Sequence, residues 1–334
     1  NLDINISSPS NDLVNYAGVF INNVLGSKLS AGNYNTSSNT GTTSTGTFSL
    51  SSTGVVVGNT VTITNNCTSA PTSYTSSNTS VATISGSTIT TLSAGTTNIT
   101  PVGGSCSDVS SKNLIVTAVT DPYWNNVVLL MHFDGANGST IFTDQKGHTF
   151  SNGGTSSISN ALSKFGGSSL LLNGSSYIQT PALSDWNFGT GDFTIEFFVK
   201  FNNIGAGVYT PGNQYFMDIG SNNMGIRWYS GSGWDIWTNT TVISSTEANP
   251  GTSNWIHIVY QRSGNTFRVY KNGILTTTSN YSGSLGSNNI LRIGNHGGDP
   301  SYGLNGYMDE LRITKGVARY TANFTPPTEA YPNQ

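Results

Sequence analysis

From Phe193 to Phe201 the apolar side chains Phe193, Ile195, Phe197, Val199 and Phe201 take every second position, with Thr194, Glu196, Phe198 and Lys200 between them. A period of two is the signature of a strand with one row of side chains in a core, and no helix face can reproduce it. Burying side chains of this size is worth roughly 1.5–3 kcal/mol each before conformational entropy is set against it. Shorter alternating runs bounded by Gly, Asn and Ser recur along the chain, and helical periodicity is almost absent. An all-β protein is expected.

Composition sharpens that expectation. Charged residues make up only 9% of the chain, but Phe 14, Tyr 15 and Trp 6 supply enough aromatic surface for packed cores. Ser, Thr and Asn must then solvate the outward faces, which suits an extracellular or virion-surface protein. The net charge is −3 and no segment concentrates Lys or Arg, so a nucleic-acid partner is not expected. No run approaches the ~20 apolar residues of a membrane span. Asn1 to Ser10 lack both an initiator Met and a signal-peptide profile, so the chain is expected to be processed or part of something longer. Cys67 and Cys106 read as a disulfide formed in an oxidising setting, with two buried free thiols as the alternative.

Three regions differ in composition. Residues 1–48 hold the apolar patches Leu2-Asp3-Ile4-Asn5-Ile6 and Val19-Phe20-Ile21, then Asn33–Thr47, which is almost wholly Ser, Thr, Asn and Gly. So short a piece rarely folds alone. It reads as an anchoring segment or truncated domain with a linker, docking on neighbouring subunits. Residues 49–120 carry Val55-Val56-Val57, Val61-Thr62-Ile63-Thr64, Val81-Ala82-Thr83-Ile84, Thr88-Ile89-Thr90 and Leu114-Ile115-Val116-Thr117. Turn residues part these runs every ~8–12 positions, as in an immunoglobulin-like sandwich. The stretches Ser76-Ser77-Asn78-Thr79-Ser80-Val81-Ala82-Thr83-Ile84-Ser85 and Leu92-Ser93-Ala94-Gly95-Thr96-Thr97-Asn98-Ile99-Thr100 resemble the group-2 bacterial immunoglobulin-like domain, with Tyr74 in place of the family's usual Trp. The resemblance implies a spacer or weak surface binder of the kind found in bacterial adhesins and phage virion proteins. Only Asp3, Asp12, Lys28, Asp108 and Lys112 are charged before residue 121, too few for a catalytic or metal site.

Residues 121–334 contain all of the Trp and most of the charge. Strands are expected at Val127–Phe133, Ser169–Leu172, Tyr177–Gln179, Phe193–Phe201, Trp255–Tyr270, Ile290–Ile293 and Gly306–Ile313, forming a jelly-roll sandwich. Asn272-Gly273 predicts a two-residue hairpin turn, because both residues accept positive φ. Leu129-Leu130-Met131-His132-Phe133-Asp134-Gly135, Lys164-Phe165-Gly166-Gly167-Ser168-Ser169-Leu170, Gly191–Val199 and Trp255-Ile256-His257-Ile258 are similar to the laminin-G-like family of concanavalin-A-like sandwiches. So is Gly306-Tyr307-Met308-Asp309-Glu310-Leu311-Arg312-Ile313-Thr314-Lys315-Gly316-Val317-Ala318-Arg319-Tyr320, followed by Phe324-Thr325-Pro326-Pro327, which resembles a variety abundant in phage virion proteins. Phe198 stands where that family usually has Trp. The expected fold class is thus an immunoglobulin-like sandwich followed by a concanavalin-A-like jelly-roll sandwich.

Enzyme motifs fail in turn. A glycoside hydrolase on this fold needs two carboxylates facing one sugar, yet the alternate neighbours of Glu196 are Thr194 and Phe198. Asp218 and Asp235 could approach it only from other strands. There is no Gly-x-Ser-x-Gly, no His-Glu-x-x-His and no zinc spacing. His132 and His257 read as core or sheet-face histidines. The resemblance implies one structural Ca²⁺, with Asp134 and Asp309 as candidate ligands by motif position; the alternative is that Asp309 and Glu310 pair with Arg312 or cap backbone amides.

Binding is the stronger expectation. Tyr209, Tyr215, Trp228, Tyr229, Trp234 and Trp237 crowd a Gly-, Ser- and Asn-rich stretch, and sugar C–H faces stack on aromatic rings while short polar groups read hydroxyls. Ile226 and Trp228 alternate with Arg227 and Tyr229, so one of these sets should be buried. Trp234, beside Gly231-Ser232-Gly233, is expected to be exposed. Tyr209, Tyr215, Tyr229, Trp234 and Trp237 are the candidate ligand-binding residues. The reading as a whole is a non-enzymatic surface protein of a virion (tail fibre, head fibre or decoration protein) that attaches to host or environmental glycans. A bacterial surface adhesin and a ligand-free structural virion component are its rivals.

Overall fold

The computed structural model describes residues 46–104, 111–205, 210–220, 223–238, 240–247, 249–287 and 289–334. Residues 1–45 of the expected anchoring segment, Cys106 and Tyr209 lie outside the described residues, whereas Phe48 belongs to the first strand of the next region. The chain divides into two compact units, 1–118 and 119–334.

In the first unit, strands Phe48–Leu50, Thr60–Asn65, Thr88–Thr91 and Ala82–Ser85 form one four-stranded sheet, in that order. Gly54–Val56, Lys112–Thr117, Gly95–Val102 and Ser73–Ser76 form another, and its first pair is parallel. Alternation assigns the faces: in Thr60–Asn65 only Val61 and Ile63 are buried. With Phe48, Val81, Ile89, Ile99, Leu114 and Val116 they make one small core. Cys67 is disulfide-bonded.

The second unit is a sandwich of two larger sheets. One runs Ser151–Gly153, Tyr177–Leu183, Asn289–Ile293, Asn213–Ile219, Met224–Tyr229, Gly233–Trp237, Thr241–Ser244 and has seven strands. The other, with eight, runs Ser157–Ser159, Ser169–Asn173, Asn305–Lys315, Phe193–Phe201, Ile256–Ser263, Thr266–Lys271, Ile274–Asn280, with Val127–Met131 also paired to Asn305–Lys315. The inward rows meet in one core that includes Phe193, Ile195, Phe197, Phe216, Ile226, Trp228, Trp234 and Ile313. The Asn272-Gly273 turn forms as expected: Asn272 has φ 49°, Gly273 has φ 77°, and Lys271 faces Ile274 across it.

Two details position the chemistry. Along one edge of Asn305–Lys315, Ser169–Asn173 pairs as far as Met308, and Val127–Met131 takes over from Leu311. Between them sits a bulge, with Glu310 at φ 52° and a register shift against Phe193–Phe201. Secondly, Phe193–Phe201 is buried on both faces save for Lys200, because Tyr320 and Tyr331 from the closing residues lie over its outward row.

Candidate functional site

The outer face of the seven-stranded sheet holds a cleft of about 410 Å³, lined by Asn213, Tyr215, Arg227, Tyr229, Ser232, Trp237, Thr241, His296 and Tyr302. That is a usual size for a small-ligand site. Register builds it. Tyr215, Arg227 and Asp235 lie side by side across three strands, and Asp218, Gly225 and Trp237 form another such row. Gly225 leaves its place empty: a Cβ there would stand 2.5 Å from Tyr215 Cε1, so the tyrosine ring lies across the glycine. Arg227 is the hub. Its Nε donates to Asp235 Oδ1 at 2.7 Å and its Nη2 to Oδ2 at 3.2 Å. The guanidinium carbon sits 4.6 Å from the Trp237 ring centre, 5.1 Å from Tyr229 and 5.5 Å from Tyr215, within the range of cation–π attraction. Ser232 Oγ completes the grip by donating to Asp235 Oδ2 at 2.6 Å. Burial works against charge on Arg227, but the bond to Asp235 wins and raises its pKa.

The far wall comes from the loop after Asn289–Ile293. His296 packs edge-on against Tyr215 with ring centres 4.8 Å apart, and Tyr302 lies 5.7 Å from His296. His296 Nδ1 accepts the backbone N–H groups of Gly298 and Asp299 at 3.1 and 3.0 Å, so its proton resides on Nε2. Burial lowers the pKa of this imidazole and keeps it neutral. Asn213 is 4% exposed, and its Oδ1 has no hydrogen-bond partner. Tyr229 and Trp237 are half-buried.

The structure thus brings Tyr215, Tyr229 and Trp237 into one cleft. It corrects the expected exposure of Trp234, which is 0% exposed. Trp234 pairs directly with Trp228 across the hairpin, so both point into the core; Trp234 stacks on Phe216 at 5.8 Å and donates its indole N–H to Glu247. The neighbouring glycines suggested a loop, but they lie at the mouth of a two-strand hairpin whose register fixes parity. That register was the available signal. Asn213 lies opposite Tyr229, two places from Tyr215 on the same strand, whereas no sequence signal marked His296 and Tyr302, whose loop meets that strand at a bridge between Tyr215 and Gly303.

The opposite outer face, on the eight-stranded sheet, carries a closed polar network. Glu196, 0% exposed, accepts Arg312 Nε and Nη2 at 3.0 and 2.8 Å on Oε1 and the Tyr320 hydroxyl at 2.7 Å on Oε2. Arg312 also donates to Asp121, which Arg319 grips with two further bonds, and its guanidinium lies 3.7 Å above the Tyr331 ring centre. His257 Nε2 reaches the Tyr331 hydroxyl at 3.0 Å. Burial opposes the charge on Glu196, but Arg312 holds its carboxyl far below the ordinary range. Asp218 and Asp235 sit on the other sheet, facing away from Glu196, so these three carboxylates do not converge.

Asp309 and Asp134, the residues expected to hold calcium, come near each other at the bulge. Asp309 Oδ2 accepts the N–H groups of Lys164 and Phe165, and Oδ1 accepts that of Glu310. Among the described residues no group of three or more His, Cys, Asp and Glu side chains is placed to hold a metal ion. Asp309 thus caps backbone amides. Glu310 accepts from Tyr331 N and lies 2.8 Å from His132 Nδ1. No helix among the described residues is long and apolar enough to cross a membrane.

A comparison with curated sequences finds no match. Among solved structures, domain 4 of an extracellular arabinanase from Geobacillus stearothermophilus, in complex with arabinotriose, is 19% identical, with 57% of this chain and 93% of that chain covered and a TM-score of 0.44. The binding domain of Paraclostridial mosquitocidal protein 1 is 14% identical over 59% of this chain and 50% of that one, with a TM-score of 0.43. A Trypanosoma rangeli sialidase is 11% identical over 58% and 32%, with a TM-score of 0.41. These partial likenesses say nothing of ligand. The sequence match is more direct: residues 172–319 fit the family model Laminin_G_3, described as the concanavalin A-like lectin/glucanases superfamily. The carboxy-terminal unit carries a concanavalin A-like domain of that kind.

Proposed function

We propose that this chain is a non-enzymatic attachment protein that holds a glycan in the Arg227 cleft. One observation carries the reading: two half-buried aromatic rings, Trp237 and Tyr229, are fixed around a guanidinium that is itself locked by Asp235. A rigid aromatic wall with polar groups at its edge is what a sugar ring stacks on, and holding the wall in place in advance saves ordering entropy on binding. The setting we propose is a virion surface, as part of a tail fibre, head fibre or decoration protein. Support for it comes from the closing motif Gly306–Tyr320 and Phe324-Thr325-Pro326-Pro327. In this reading the amino-terminal unit is an immunoglobulin-like spacer, and residues 1–48 dock on other virion subunits.

The test is binding of the full chain to a panel of polysaccharides and oligosaccharides, with Trp237→Ala beside it and with chelator in parallel. Saturable binding that Trp237→Ala removes, at unchanged melting temperature and in the presence of chelator, is the expected result. Absence of saturable binding to any member would overturn the reading.

A further inference from the structure

The cleft's charge balance narrows the kind of sugar it accepts. Arg227 is the one lining residue with a permanent charge, and a lone arginine in an aromatic cleft would ordinarily suggest a carboxylate-bearing ligand. The geometry here opposes that. Two of its nitrogens are spent on both oxygens of Asp235, and its third, Nη1, lies 3.4 Å from the Tyr215 hydroxyl. Its planar faces lie among the Tyr215, Tyr229 and Trp237 rings. Asp235, fully buried and tied to Ser232, already neutralises the guanidinium, so a ligand carboxylate would meet little net positive charge there.

The surroundings add to this. Asp218 lies behind the same cleft, in register with Gly225, and its Oδ2 accepts the N–H of Gly297 at 2.6 Å. Asp299 flanks His296 on the loop. Arg292, on the neighbouring strand, is engaged elsewhere: Nε and Nη2 donate to Gln179, Nη1 donates to the carbonyls of His296 and Gly297, and the guanidinium lies over the Tyr177 ring at 4.0 Å. Asp218, Asp235 and Asp299 therefore outnumber Arg227 and Arg292.

We propose that the cleft selects neutral, hydroxyl-rich saccharides and rejects those bearing uronic or sialic acid, with Arg227 acting to position the aromatic wall rather than to pair with a ligand's charge. This rests on the glycan-binding reading above and adds the ligand class to it. Binding should then be nearly independent of ionic strength, since no charge pair forms across the interface.

The experiment is titration of the full chain with neutral hexose and N-acetylhexosamine oligosaccharides and with their uronic-acid or sialylated counterparts, at low and high salt. The expected result is binding of the neutral series, with the acidic counterparts weaker by about tenfold or more, consistent with the several-kcal/mol cost of unmatched charge. Asp235→Asn should free Arg227 of its counter-charge and move the preference toward the acidic series, and melting curves would confirm that the variant folds. A preference for acidic sugars that salt abolishes, while Trp237→Ala still removes binding, would overturn this inference and leave the glycan reading intact. Absence of binding to both series would overturn the two together.

Discussion

Each outer face of the carboxy-terminal unit carries an arginine gripped by a buried carboxylate and ringed by aromatic side chains. On the eight-stranded sheet these are Arg312, Glu196, Tyr320 and Tyr331; on the seven-stranded sheet they are Arg227, Asp235, Tyr215 and Tyr229. The ingredients match, and the cover differs. The first cluster lies under side chains of the closing residues, and every partner of Glu196 is supplied from within the unit. The second opens on a cleft in which Tyr229 and Trp237 remain half-buried. A buried ion pair seldom adds net stability over an apolar replacement, but removing one partner is costly. The roofed pair is therefore best understood as a fastening that specifies where the closing chain lies, and the open pair as a frame for side chains that meet a ligand.

The largest expected effect tests the fastening. Glu196→Gln leaves Arg312 short of its buried counter-charge and should cost about 3–5 kcal/mol in denaturant unfolding, without changing glycan affinity of the folded fraction. If affinity fell while stability held, the assignment of the two faces would be reversed. The two tryptophans of the Gly233–Trp237 strand divide the comparison at close range. Trp234→Ala empties a fully buried site and should cost about 3–5 kcal/mol. Trp237→Ala should leave stability within about 1 kcal/mol, while lowering affinity by about tenfold or more.

Acidity gives a smaller, signed effect. The pKa values of both Glu196 and Asp121 are lowered in the fold: burial resists, but Arg312 prevails at Glu196, and Arg319 and Arg312 prevail at Asp121. Their stabilisation is thus present above the ordinary carboxylate range and is lost as pH falls below about 4. Glu196→Gln should flatten the acid limb of the stability–pH curve. The smallest effect sits at the alkaline side. Burial disfavours the charge on His132, yet the adjoining Glu310 raises its pKa from 6.5 to about 8. A raised folded pKa contributes fully below the unfolded value and fades as pH rises through about 8, a loss of about 1–2 kcal/mol between the two. His132→Asn should remove that slope, as read from midpoints at pH values bracketing the window.

What the sequence disclosed follows from how local each feature is. The alternation in Phe193–Phe201 and the Asn272-Gly273 turn are properties of adjacent residues, and both appear as expected. The alternation of Ile226 and Trp228 with Arg227 and Tyr229 likewise marked the buried and cleft-facing rows. Trp234 misled because its glycine neighbours were weighed ahead of the hairpin register, which sets it opposite Trp228. The roof over Glu196 joins positions more than a hundred residues apart, as do Glu196 and Arg312 themselves. The cleft's far wall depends on Gly303 meeting Tyr215. Contacts of that kind follow from tertiary packing and leave no periodic trace in sequence.

The backbone N–H of Asp121 donates to the Gln334 oxygen at 2.6 Å, and the side chain of the same aspartate is held by Arg312 and Arg319. Asp121 and Gln334 thus meet at one spot. Two positions held this close can serve as the joints of an insertion into a surface loop of an unrelated host protein, because they demand almost no separation. Such joints would lie on the roofed sheet, on the face opposite the Arg227 cleft.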